Sequence, residues 1–143
     1  MDRDRLVEAF RAALAPFSWA RFAYLFGSAA RGDDRPGSDV DVAVWAAEDP
    51  SANDLLTLAD ALCRAGGRDD VEVVLLSRLG PLFLREVIKD GVLLLERDRD
   101  ERVVWVARVL SDWYDFEPTH TLWREAFWDA IGRKGARGEA ALR

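Results

Sequence analysis

The stretch Leu25-Phe26-Gly27-Ser28-Ala29-Ala30-Arg31-Gly32, followed through a polar turn by Ser38-Asp39-Val40-Asp41-Val42-Ala43-Val44-Trp45, decides the reading of this chain. Asp39 and Asp41 stand two apart on a Val-rich strand, so both carboxylates point to one face of a sheet. Aspartate is depleted in strands, and a pair of them costs stability unless something offsets the loss. A divalent cation bound by both carboxylates does so. Upstream, an apolar strand ends at Gly27-Ser28. A short helix is expected to start there and to aim its free backbone N–H groups at an anion. A phosphate cradle beside a metal-binding carboxylate pair is the equipment of phosphoryl or nucleotidyl transfer. The plainer alternative is a hairpin loop with aspartate caps and a glycine turn.

Around this centre the bulk properties exclude several classes. A chain of 143 residues, 50% apolar, is one domain long enough for a real core. Its net charge of −6 argues against a broad basic surface for nucleic acid, so direct nucleic-acid binding is not expected. A single cysteine, Cys63, excludes an internal disulfide framework and suits a reducing cytoplasm. It falls in an amphipathic segment and reads as a buried, inert thiol. The one histidine, His120, cannot build a histidine-based triad or zinc site. The charged start Met1-Asp2-Arg3-Asp4-Arg5 is unlike a signal peptide, and no apolar run is long enough for a membrane span.

Periodicity sets out the elements. Leu6, Val7, Phe10 and Leu14 share one helical face, and Pro16 ends that helix. Strands are expected over 19–26 and 39–45, then a helix from Pro50-Ser51 to Arg64 with Leu55, Leu58, Ala59 and Leu62 inside. Gly66-Gly67 stops it, and Asp70 to Leu76 forms a third strand. A helix from Pro81 to Lys89 and a strand from Val92 to Leu95 follow. The rest reads as a long helix from Asp98 through Trp113, another from Pro118 to Ile131, and a fraying tail from Gly132. The expected fold is α/β (α+β): a small mixed sheet flanked by helices, with a C-terminal helical tail. Residues 1–96 are the expected core and residues 97–143 an extension packed on it, one structural domain in all.

The spacing Gly27-Ser28, ten residues, Asp39-Val40-Asp41 resembles the signature of the DNA polymerase β-like nucleotidyltransferase superfamily. That resemblance implies a third acidic residue on a later strand, which helps hold metal and favours deprotonation of the attacking hydroxyl. The matching segment is Val71-Glu72-Val73-Val74-Leu75-Leu76, which puts Glu72 where the family usually has aspartate. Asp70, two residues earlier and on the same face, is the alternative, although it also suits a cap at the strand entry. Ser28 and Arg31 are candidate phosphate contacts, and Ser38 a residue that caps or orients the Asp39 strand. An exposed surface arginine and an ordinary turn serine are the competing readings.

From residue 5 to about 130 the chain resembles the MntA-type minimal nucleotidyltransferases. The matches run through Pro81-Leu82, Asp90-Gly91-Val92-Leu93-Leu94-Leu95-Glu96, Arg97-Asp98-Arg99 and Tyr114-Asp115-Phe116-Glu117-Pro118. The resemblance implies a catalytic antitoxin that transfers AMP from ATP to a tyrosine of a HEPN-domain RNase toxin. Asp39, Asp41 and Glu72 would then bind Mg2+, two ions in the family's mechanism, and Gly27, Ser28, Arg31 and Ser38 would bind the nucleotide. Trp105, Trp113, Tyr114, Phe116, Trp123, Phe127 and Trp128 cluster late in the chain. They suit core closure and also a docking face, for which Trp123 and Trp128 are the candidates. A small-molecule nucleotidyltransferase of the aminoglycoside type and a non-catalytic masking antitoxin are the two other classes the motif admits.

Overall fold

In the computed structural model of the chain, residues 2–27, 30 and 40–134 are described, and beyond Phe116 side chains are described only at Ala126. Helix α1 (Arg3–Leu14) starts where the Asp2 carboxylate accepts the Arg5 backbone N–H at 2.9 Å. Its Leu6, Val7, Phe10 and Leu14 are all buried, as their spacing predicts. Strands β1 (Ala20–Phe26) and β2 (Val40–Ala46) pair antiparallel, with Phe26 opposite Asp41. Helix α2 (Ala52–Gly66) opens with a reciprocal cap, since Ser51 accepts from the Asp54 N–H and Asp54 from the Ser51 N–H. Gly67, in the left-handed region at φ +63°, closes it. Strand β3 (Val71–Leu75) then lies parallel to β2. A parallel neighbour needs a crossover, and α2 supplies it.

A short 3-10 turn (Leu76–Arg78) leads to helix α3 (Pro81–Asp90), whose proline takes the first position where no N–H is needed. Strand β4 (Val92–Glu96) pairs antiparallel with β1, which completes a sheet of order β3-β2-β1-β4. Helix α4 (Arg99–Lys134) is the fourth helix among the described residues. None of these helices is long and apolar enough to cross a membrane.

The period-two alternation of the strands divides the core into two layers. Ala23, Leu25, Val40, Val42 and Val44 face α1 and α2, where Phe10, Leu14, Leu58 and Leu62 meet them. Cys63 packs at the margin of this layer, partly buried. On the other face Phe22, Tyr24 and Ala43 lie under α3 and α4, against Val87, Trp105 and Val109. Trp105 closes this layer with ring centroids 5.2 Å from Phe22, 6.1 Å from Tyr24 and 6.2 Å from Trp45. Full burial of a side chain such as Phe10 or Phe22 contributes about 1.5–3 kcal/mol each.

Helix α4 departs from the sequence expectation. It runs unbroken through Pro118 and on through Gly132, where two helices and a fraying tail were expected. A proline at 118 forgoes the hydrogen bond to the Tyr114 carbonyl and crowds that carbonyl, a local cost of about 3 kcal/mol, but no glycine lies between Arg99 and Pro118 to end the helix first. The turns on either side therefore keep the helix continuous. Residues 135–143 lie outside the described residues.

Candidate active site

Asp41 and Glu72 are direct partners across the parallel β2–β3 pair. Alternation along each strand puts them on the same face as Ala43 and Val74, the layer under α3 and α4. Two features of the chain hold this register. The Val40 N–H donates to the Asp70 carbonyl at 3.1 Å, tying the entries of β2 and β3 together. Beyond it the pairs Val42–Val73, Ala43–Val74 and Val44–Leu75 continue without a shift. Asp41 is half-buried, while Glu72 is exposed on the edge strand, open to an incoming molecule.

Gly27 supplies the third side of this corner. It follows β1 directly and adopts φ +83°, a conformation that side chains with a Cβ rarely take. A Cβ built there would stand 3.1 Å from Asp41 Oδ2. The Gly27 backbone is thus pressed close to the carboxylate, and only glycine leaves the room. Next along the described chain, Ala30 is buried, and its carbonyl accepts from the Arg3 guanidinium at 2.9 Å. That bond fastens Ala30 to α1.

Of the two carboxylates proposed for the third position, Asp70 is engaged elsewhere. It accepts Nε and Nη2 of Arg68 at 2.5 and 2.8 Å. The Arg68 hydrogen bonds hold the Asp70 carboxyl below its ordinary value, against the opposing effect of desolvation. This pair clamps the entry to β3, leaving Glu72 as the carboxylate registered with Asp41. Ser28, Arg31, Ser38 and Asp39, the other residues singled out by the sequence, lie outside the described residues. The side chains of Trp123, Phe127 and Trp128 do so too. Two carboxylates on neighbouring strands, facing one side, are hard oxygen donors, and that chemistry fits Mg2+.

Sequence reasoning placed the start of the last long helix at Asp98 but missed Arg97 and the ion pairs that brace the sheet. The Arg97 guanidinium donates to the carbonyls of Leu14, Ala15, Phe17 and Ala20 at 3.0–3.3 Å. It thereby satisfies the end of α1 and the turn into β1. Asp98 Oδ1 accepts from the Asp100 and Glu101 N–H groups at 2.8 and 3.3 Å and starts α4. Arg21–Glu101 at 3.1 Å and Arg102–Glu96 at 3.2 Å join that helix to β1 and β4. The Arg68–Asp70 pair had a readable signal, opposite charges two apart at a strand entry, whereas Arg97 had none.

A comparison with curated protein sequences finds no match. Solved structures do resemble the chain. One is a chain of a toxin–antitoxin crystal structure with AMP-PNP, at TM-score 0.66 and 22% identity, spanning 92% of this chain and 98% of that one. Another belongs to the complex of the tri-AMPylated Shewanella oneidensis HEPN toxin with MNT antitoxin, at TM-score 0.60 and 21% identity, over 90% and 94% of the two chains. A third, described as a candidate minimal nucleotidyltransferase, has TM-score 0.56 and 29% identity over 64% of this chain and 95% of that one. At sequence level, residues 12–100 match the family "Polymerase beta, Nucleotidyltransferase". That match covers β1, β2, β3, β4 and the Asp41–Glu72 corner, more than half of the chain, and the protein belongs to the polymerase β nucleotidyltransferase family.

Proposed function

We propose that this protein transfers AMP from ATP to a tyrosine hydroxyl of a HEPN-domain toxin and so acts as its antitoxin. The observation that carries the reading is the Asp41–Glu72 register pair with Gly27 folded against it. The partner assignment is supported by likeness to chains from toxin–antitoxin complexes, one with AMP-PNP and one with an AMPylated HEPN toxin. Residues 1–96 are the catalytic core and residues 97–143 an extension of the same domain.

Asp39, Asp41 and Glu72 hold Mg2+ in this proposal. The metal, when bound, supplies charge neutralisation for the triphosphate and for the departing pyrophosphate. Gly27 and Ser28 receive the triphosphate, with Arg31 and Ser38 as further contacts. The acceptor oxygen forms a bond to the α-phosphorus, and the bond from that phosphorus to the oxygen bridging to the β-phosphate breaks. Pyrophosphate leaves, and the hydroxyl proton passes toward Glu72, the carboxylate exposed on the edge strand where an acceptor arrives.

The test is incubation of the purified protein with Mg2+ and each of the four NTPs labelled at the α-phosphate, in lysate of the native host. Asp39→Ala/Asp41→Ala is the control. Label from ATP on one discrete protein band, lost with the variant, is the expected outcome. Label appearing only on a small molecule would move the acceptor to the small-molecule class. No label on anything, with Mg-ATP still bound, would sink the catalytic reading.

A further inference from the structure

A second feature stands on the same face and at the same end of the sheet. Arg85, Ile88, Lys89, Leu110, Trp113 and Tyr114 line a cavity of about 270 Å³ between α3 and α4. Its position follows from the topology. Gly91 ends α3 and Val92 pairs with Leu25, one residue before the Phe26 that faces Asp41. Across the sheet the start of β4 is two strands, about 10 Å, from Asp41. Ile88 belongs to the layer that includes Phe26 and Ala43, so the cavity lies on the carboxylate side of the sheet.

Its chemistry is unlike that of the chain as a whole. In a protein of net charge −6, Arg85 and Lys89 stand four apart on α3 with no carboxylate at ion-pair distance among the described residues. The Arg85 guanidinium lies 5.0 Å over the Trp113 ring, an arrangement that holds the planar cation in place. Tyr114 is 68% exposed beside it, a large aromatic face turned to solvent. A cavity lined by Trp45, Trp105, Asp98, Asp100 and Glu101, at the far end of the sheet, has the opposite charge. Two cations with no carboxylate partner among the described residues, set beside aromatic planes, suit a phosphate carried on a base. At about 270 Å³ the cavity holds part of a small ligand, with room for the remainder to reach into solvent.

We propose that this cavity is a subsite for a nucleoside monophosphate unit, separate from the Asp41–Glu72 corner, with Arg85 and Lys89 on the phosphate and Trp113 and Tyr114 against the base. Its use, holding a nucleotide carried by the acceptor, rests on the proposed transfer activity. Its affinity for AMP does not, so the two stand or fall separately.

The experiment is calorimetric titration of the full chain with AMP in the absence of Mg2+, against Arg85→Ala/Lys89→Ala. Inorganic phosphate, adenosine and tetraglutamate are titrated in parallel. AMP should bind the wild type more tightly than phosphate or adenosine, and the double variant should lose about tenfold or more. The swapped pair Arg85→Lys/Lys89→Arg, which keeps both charges, should recover most of the loss. Should the double variant misfold, Lys89→Gln and Tyr114→Ala, both at exposed positions, must each weaken AMP binding. AMP binding that is absent from the wild type, or unchanged by these substitutions, overturns the subsite. Tetraglutamate binding more tightly than AMP, with the same dependence on Arg85 and Lys89, overturns it in favour of an acidic peptide.

Discussion

Replacing Gly27 by alanine separates backbone strain from damage to the site, because the fold contains its own control. Gly27 and Gly67 both occupy the left-handed region, at φ +83° and +63°. Alanine in that region costs about 1–2 kcal/mol in the folded state. Alanine also stiffens the unfolded chain, which returns about 0.4–1 kcal/mol. Each substitution should therefore destabilise by about 0.5–1.5 kcal/mol, a fall of several degrees in Tm for a domain of this size. The difference lies in what the new methyl group meets. At Gly67 it meets nothing within 4 Å, while at Gly27 it stands 3.1 Å from Asp41 Oδ2. That contact is tight enough to push the carboxylate by a few tenths of an ångström. A misplacement of 1 Å can cost about 10²-fold in rate, so a shift of this size should cost about three- to tenfold. The assay is urea unfolding of both variants together with label transfer from ATP at saturating Mg2+. Similar stability losses with a rate loss confined to Gly27→Ala would support the reasoning. Equal rate losses in the two variants, or a Gly27→Ala enzyme that is destabilised but fully active, would refute it.

Three further outcomes are expected. Glu72→Gln should leave stability within about 0.5 kcal/mol, because the side chain is exposed, and lower transfer by about 10²-fold or more. Glu72→Asp, which keeps the charge, should retain most activity; unchanged transfer in Glu72→Gln would remove Glu72 from the site. For Asp70 the folded pKa is lowered, so its contribution is present above its ordinary value of 3.8 and is lost as pH falls through the lowered folded value. Asp70→Asn should destabilise by up to about 1 kcal/mol at pH 7, and urea midpoints of the two proteins should converge in acid. A gap that persists at the lowest pH would assign the effect to something other than the Arg68 pair. Arg97→Ala leaves the carbonyls at the end of α1 without their shared donor and should cost about 1–2 kcal/mol by urea unfolding, with transfer per folded molecule unchanged. No change in the urea midpoint would show that water replaces the guanidinium at no cost.

What could be read from the sequence, and what could not, follows from the range of the interactions involved. The first two turns of α1 and half of the inner stripe of α2 were legible because burial at i, i+3 and i+4 is written locally: Phe10, Leu58 and Leu62 are buried as spaced, while Leu55 and Ala59 are only partly buried. The Asp41–Glu72 corner was half legible. Each carboxylate advertised itself by interrupting a Val-rich strand, but their register depends on the Val40–Asp70 bond and on a crossover that brings residues 31 apart into line. The same limit explains α4. A proline is a strong local stop signal, and local reasoning broke the helix at Pro118. No terminating glycine precedes it, and the start of the helix is fixed far away, by Trp105 on the aromatic layer and Arg102 on Tyr24 and Glu96.

The segment Arg97-Asp98 shows the reverse case, a stretch whose resemblance to a catalytic family reflects architecture and not chemistry. Arg97 caps α1 from just beyond the end of β4, and Asp98 caps the helix that follows it. Neither side chain is near Asp41, since Glu96 pairs with Phe22 while Asp41 pairs with Phe26, four residues along β1. Four residues of strand is about 13 Å. These two residues therefore serve the site only by fixing where β1 and α4 lie. That is also why the Arg97 substitution separates the two kinds of importance: it should move stability and leave the chemistry of the folded protein where it was.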